Sequence, residues 1–111
     1  MADDLASKKC IPCEGGMKPF TSQEIQKYLT QIPGWEVVEG CKIQKEMKFK
    51  DFAQLMKFVN KIAELAEREG HHPDFFVSYN QLTITLWTHA IKGLSENDFI
   101  VAKKLDNLAV S

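Results

Sequence analysis

The stretch from Asp51 to Thr88 constrains this chain most, because its hydrophobic period changes once and the chain then doubles back. Phe52, Leu55, Met56, Val59, Ile62, Ala63 and Ala66 recur at helical spacing, which gives a long helix one apolar face. Asp51 can cap that helix, and Gly70 is a natural residue for the left-handed position that ends it. His72 precedes Pro73 and is pushed toward extended backbone, so the chain turns from helix into strand at its paired histidines. Asp74 to Tyr79 and Leu82 to Thr88 are then rich in β-branched and aromatic residues and meet at Asn80-Gln81, which reads as a two-residue turn.

The first half of the chain has the same order. Thr21-Ser22-Gln23-Glu24 is a capping box, and Ile25, Tyr28, Leu29 and Ile32 follow at helical spacing before Pro33-Gly34 ends the helix. Trp35 to Val38 and Cys41 to Phe49 read as a hairpin across Glu39-Gly40. In its second strand Cys41, Ile43, Met47 and Phe49 alternate with Lys42, Gln44, Glu46 and Lys48, so one face is buried and one wet. Ser95-Glu96-Asn97-Asp98 is a second capping box, with Asp98 at the third helical position, and a third helix runs through Phe99, Ala102, Leu105 and Ala109. The order α-β-β-α-β-β-α is satisfied by an α+β fold: a four-stranded antiparallel sheet with three helices on one face. Residues 19–111 would form this domain, and residues 1–18 an N-terminal extension lying on it or loose.

Strand pairing across Asn80-Gln81 has consequences for side chains. It sets Tyr79 against Leu82, Val77 against Ile84 and Phe75 against Leu86, and by extrapolation His72 opposite His89. One more loop residue would put His71 in the place of His72. Phe75, Val77, Tyr79, Leu82, Ile84 and Leu86 share the expected core face; Phe76, Thr83, Thr85, Trp87 and His89 share the other. On the long helix Phe58 and Leu65 fall outside the apolar stripe and form a second strip suited to self-association. Glu67 and Glu69 lie in its last turn, where the helix dipole disfavours negative charge, so a cation nearby would relieve them.

Composition excludes several classes. With 44% hydrophobic and 26% charged residues and a net charge of −1, the 111-residue chain is neither a disordered tail nor a polyanion binder. Direct nucleic-acid binding is not expected. No apolar run approaches the ~20 residues that span a bilayer, and the start Met1-Ala2-Asp3-Asp4 lacks the features of a leader, so a soluble, cytoplasmic protein is the expectation, with the nucleus also open. Cys10, Cys13 and Cys41 read as free thiols. Cys10-Ile11-Pro12-Cys13 has no second pair at finger spacing and is followed by Glu-Gly-Gly rather than a helix, which argues against zinc and against a redox pair.

What remains is the histidines. His71 and His72 lie in the stretch from Asp51 to Thr88 and His89 directly follows it, with Glu67 at hand. Adjacent histidines are poorly placed to ligate one ion, and no nucleophile elbow is present, so no metal and no cofactor is expected. Proton transfer is the chemistry left, since imidazole titrates nearest neutrality.

Glu67-x-x-x-His71-His72-Pro73, then Tyr79, His89 and Asp98 at fixed intervals, resemble the signature of the pterin-4a-carbinolamine dehydratases. The likeness runs from about Thr21 to Ala109, includes Trp35 after the first helix, and extends to the Cys10–Gly16 segment of some members. It implies the fold above, no metal, a homotetramer built as a dimer of dimers, and dehydration of 4a-hydroxytetrahydrobiopterin to quinonoid dihydrobiopterin, which recycles the cofactor of aromatic amino acid hydroxylases. By the same resemblance His71 and His89 would be proton donors, and Glu67 would orient an imidazole or act as base. His72 with Pro73 would hold the pterin, Trp35 would flank its ring, and Thr88 and Asp98 would fix geometry. Gly70 and Asn97 stand where some members carry an acid and an arginine. Members are also dimerisation cofactors of a homeodomain transcription factor; here that role would rest on Phe58 and Leu65.

Overall fold

The computed structural model describes residues 5–8, 10 and 18–109. After a 3-10 turn at Leu5–Ser7 come α1 (Ser22–Leu29), β1 (Glu36–Val38), β2 (Lys42–Lys48), α2 (Phe52–Glu69), β3 (Asp74–Ser78) and β4 (Gln81–Leu86). A second 3-10 turn, His89–Ile91, then leads into α3 (Glu96–Ala109). The strands form one antiparallel sheet in the order β1-β2-β4-β3, and the fold is the α+β arrangement that the alternating periods imply. No helix among the described residues is long and apolar enough to cross a membrane.

The helix starts are where the sequence places them. Glu24 N–H donates to Thr21 Oγ1 at 3.2 Å while Thr21 N–H donates to Glu24 Oε1 at 2.9 Å, so both arms of the first capping box form. Gln54 N–H donates to Asp51 Oδ1 at 2.9 Å, and Gly70 ends α2 at φ 67°. Ile43, Leu82, Ile84 and Leu86 line the inner face of the sheet and meet Leu55 and Ile62 of α2 and Phe99, Ala102 and Leu105 of α3. Leu5, from the N-terminal segment, is buried in the same core.

Two expectations are corrected. The buried stripe of α2 is Leu55, Phe58, Ile62, Leu65 and Ala66, whereas Phe52 is 49% exposed and Ala63 is exposed. Phe58 and Leu65 therefore belong to the core and form no second strip. The reason is area: turning Phe58 and Leu65 inward buries far more apolar surface than turning Ala63 inward, and the Phe58 ring finds Phe49 at 5.5 Å.

The second correction concerns the hairpin. Its turn is Tyr79-Asn80, with Tyr79 at φ 51°, and the register pairs Ser78 with Gln81, Val77 with Leu82 and Phe75 with Ile84. Asn80 is clamped to the end of β2: Phe49 N–H donates to Asn80 O at 2.8 Å and Asn80 Nδ2 donates to Phe49 O at 3.0 Å. That clamp moves the pairing by two residues and leaves the inward and outward sets unchanged. β3 is nonetheless an edge strand, and Phe75, Val77 and Tyr79, expected in the core, are exposed at 39%, 37% and 65%. The core ends at β4.

Candidate active site

Asp98 sits at the centre of the site, fully buried in the first turn of α3. Its Oδ2 accepts from the Ser95 amide at 2.9 Å and from the Thr88 hydroxyl at 2.8 Å, and its Oδ1 meets His71 Nε2 at 2.6 Å. Because the single Thr88 proton goes to Asp98, the Ser95 hydroxyl is the donor in its 2.8 Å contact with Thr88 Oγ1. The capping carboxylate thus serves a second purpose: with one oxygen saturated by the Ser95 amide and the Thr88 hydroxyl, it turns the other to His71. The imidazole donates through Nε2, which leaves Nδ1 as the ring nitrogen open to a ligand.

His72 points the other way, with Nε2 against Glu67 Oε2, and both side chains are well exposed. His89 begins the 3-10 turn, on a loop closed by Thr88 N–H donating to Gly93 O at 2.8 Å. Its ring lies 4.1 Å from that of Trp87, tilted by 50°. His71, His72 and His89, with Pro73, Asp74, Trp87, Thr88 and Asn97, surround one open cavity of about 580 Å3. That is the size range of small-molecule sites.

Cys10, Glu69, Gly70 and Ala90 complete the lining. Glu69 Oε1 accepts from the Cys10 amide at 3.0 Å and Oε2 from Lys104 Nζ at 2.7 Å. Here is a cation that relieves the acidic end of α2. Burial alone would raise Glu69, but Lys104 and the Cys10 amide outweigh it and hold the carboxyl below its ordinary value. Burial, and then the charge of Glu69, push the Cys10 thiol up to about 12, so it stays an uncharged S–H, which donates to the Asn97 carbonyl oxygen at 3.7 Å. Cys13 lies outside the described residues. Among the described residues no three His, Cys, Asp or Glu side chains are grouped to hold a metal ion.

The residues expected from sequence divide accordingly. His71, His72, Pro73, Thr88 and His89 line the cavity, and Asp98 lies directly behind His71. Glu67 stands outside it, behind His72. Trp35 is buried elsewhere in the core, donating its indole N–H to Asp106 at 3.1 Å, and the aromatic residue of the cavity is Trp87. Sequence reasoning passed over Trp87 and Glu69. The signal for Trp87 was present: it is two residues before His89 on a strand that alternates.

The model of the pterin 4 alpha carbinolamine dehydratase family matches residues 18–108. The chain belongs to this family. A protein of Nitrosospira multiformis, provisionally named pterin-4-alpha-carbinolamine dehydratase, is 51% identical over 106 residues, covering 96% of this chain and 93% of its own. Among solved structures, a Brucella melitensis protein described as a transcriptional coactivator/pterin dehydratase aligns with a TM-score of 0.78 and 35% identity over 83% of this chain and 99% of its own. A pterin dehydratase-like protein identified as a RuBisCO assembly factor in the alpha-carboxysome aligns with a TM-score of 0.61 and 26% identity, over 73% and 95%.

Proposed function

We propose that this member of the family is an active dehydratase that converts 4a-hydroxytetrahydrobiopterin to quinonoid dihydrobiopterin, recycling the cofactor of aromatic amino acid hydroxylases. The observation that carries the reading is the buried Asp98–His71 pair opening onto a cavity that His72 and His89 also line. In the reaction the C4a–oxygen bond breaks, the hydroxyl leaves as water with a proton from an imidazole, and the ring nitrogen beside C4a returns its proton to an imidazole left neutral as its double bond to C4a forms. One proton enters and one leaves, so no cofactor is consumed. His71, protonated on Nδ1 as well as on the Nε2 that faces Asp98, and His89 are the proton donors, His72 and Pro73 hold the pterin, Glu67 orients His72, and Thr88 and Asp98 orient His71. General acid and base groups of this kind contribute ~10²–10⁴-fold. Trp35, bonded to Asp106 in the core, is left without a part in binding.

The reading includes self-association. Phe75, Phe76 and Val77 are exposed on β3, an edge strand, with Tyr79 exposed in the turn that follows, and such an edge is a template for pairing with another chain. A second copy joined edge to edge would form the dimer from which a tetramer is built. The transcription-factor role rested on Phe58 and Leu65, which are buried in the core, so it has no support from that helix face.

Decay of 4a-hydroxytetrahydropterin followed by stopped flow tests the activity, with the wild type beside His71→Ala and His89→Ala. A fast wild type with two slow, folded variants is the expected result. A folded wild type without activity, or two variants as fast as wild type, would overturn it.

A further inference from the structure

Each of the three imidazoles has a different kind of partner. His71 has a buried carboxylate and His72 an exposed one, whereas the contact that holds the His89 ring is the indole of Trp87. His89 needs such a contact, because it is exposed on a loop between β4 and α3 with no strand partner of its own. The question is whether the indole is itself fixed well enough to act as a stop.

It is held from both sides. Trp87 directly follows β4 on the outer face of the sheet, flanked by β2 and β3. From β2, Lys42 Nζ lies over the ring at 4.7 Å from its centroid, a cation–π contact. From β3, Asp74 Oδ2 accepts the indole N–H at 3.3 Å. The register accounts for both: Ile43 pairs with Leu86, which brings Lys42 opposite Trp87, and Asp74 pairs with Thr85, one diagonal step away. An ammonium on the ring face and a carboxylate at the ring nitrogen leave the indole little freedom to rotate. An exposed imidazole at the start of a 3-10 turn therefore leans on a side chain anchored by the sheet.

The geometry points to Trp87, anchored by Asp74 and Lys42, as the positioning residue that aims His89 into the cavity. It acts through His89 and moves no proton itself. The inference rests on the dehydratase reading for its kinetics, and on geometry alone for its spectroscopy.

Trp87→Ala, Trp87→Phe, His89→Ala and the Trp87→Ala/His89→Ala double variant decide it. Trp87→Ala should lower kcat about tenfold with KM little changed, less than the ~10²-fold expected for removing an acid/base group outright. Trp87→Phe, which keeps a ring under His89, should recover most of the loss. On the His89→Ala background the same Trp87→Ala change should have no further effect, since groups that act as a unit are not additive. In NMR spectra the His89 ring protons, shifted by the indole in wild type, should move in Trp87→Ala and move less in Trp87→Phe. An equal fall in rate with and without His89, or a rise in KM that persists in the double variant, would make Trp87 a wall for the substrate and overturn the positioning role. Unmoved His89 signals would overturn it too. A wild type without dehydratase activity would refute the proposed function and leave the NMR arm to judge Trp87.

Discussion

His71 and His72 are neighbours in the chain, and each meets one carboxylate at close range, 2.6 Å to Asp98 and 2.5 Å to Glu67. The two pairs differ in their surroundings. The His71 and Asp98 side chains are 12% and 0% exposed, those of His72 and Glu67 61% and 76%. At ~4 Å two unit charges interact by ~1 kcal/mol in water and several times that near a protein's low-dielectric interior. Asp98 is also fixed by Ser95 and Thr88, whereas Glu67 extends from the last turn of α2 into solvent. Two pairs alike in distance thus differ in rigidity and in the cost of being broken. The buried pair can hold an imidazole in place through a reaction; the exposed pair can only bias it.

The largest effect should come from breaking the buried pair. Asp98→Ala strands the Ser95 amide, the Thr88 hydroxyl and His71, and removes a cap, so a loss of about 3–5 kcal/mol in urea unfolding is expected. Asp98→Asn keeps the shape and should cost less, while turnover still falls by ~10² or more because His71 loses its acceptor. If Asp98→Asn left turnover intact, the contrast between the two pairs would be structural only.

A backbone change can reach the same floor without touching a polar group. A Cβ on Gly93 would lie 2.5 Å from Pro19 Cβ, and Pro19 cannot swing aside as a long side chain would. Gly93 also closes the loop that carries His89 through its carbonyl to Thr88. Gly93→Ala should cost about 1–3 kcal/mol by thermal or urea unfolding and slow turnover as well. Gly70→Ala meets nothing within 4 Å and is strained only by its φ of 67°, so about 1 kcal/mol is expected there.

How much of this was readable from sequence depends on what fixes each feature. Caps are local chemistry, so Thr21, Asp51 and Ser95 announced their helices, and the change of period at Gly70 announced the second hairpin. The three histidines converge because they stand at the ends of elements whose order is set by those same patterns. The register of β3 on β4 was missed because it is decided by Asn80 bonding to Phe49, a contact thirty-one positions apart. The face of α2 was misjudged because Phe52 and Phe58 compete for the sheet, and only packing chooses between them. That Cys10 reaches the cavity depends on Leu5 docking in the core and on Glu69, neither of which any period records.

Glu69 lies between the two pairs in exposure, and its pH dependence should show it. Its carboxyl is held below the ordinary value of 4.5, chiefly against the cost of its burial, by Lys104 and the Cys10 amide. A carboxyl with a lowered value in the folded state stabilises the fold above its unfolded value and stops doing so as pH falls through its folded one. Urea midpoints measured from about pH 7 down to about pH 3 should therefore drop for wild type, and drop less for Lys104→Met, which should be weaker by about 1 kcal/mol at neutral pH. Parallel curves would mean that Lys104 does not hold Glu69.

Glu67→Gln should show the smallest effect. The pair it breaks is exposed, held by one contact and screened by water, so stability should stay within about 0.5 kcal/mol of wild type. What can change is the orientation of His72, which holds substrate in the proposed mechanism, and this should appear as a modest rise in KM with kcat preserved. Raising salt should shrink even that difference, since screening weakens exposed pairs and leaves buried ones nearly untouched. A Glu67→Gln variant that lost kcat as heavily as Asp98→Asn would show that exposure is a poor guide to which carboxylate the chemistry depends on, and Glu67 would take the place of Asp98 in the mechanism.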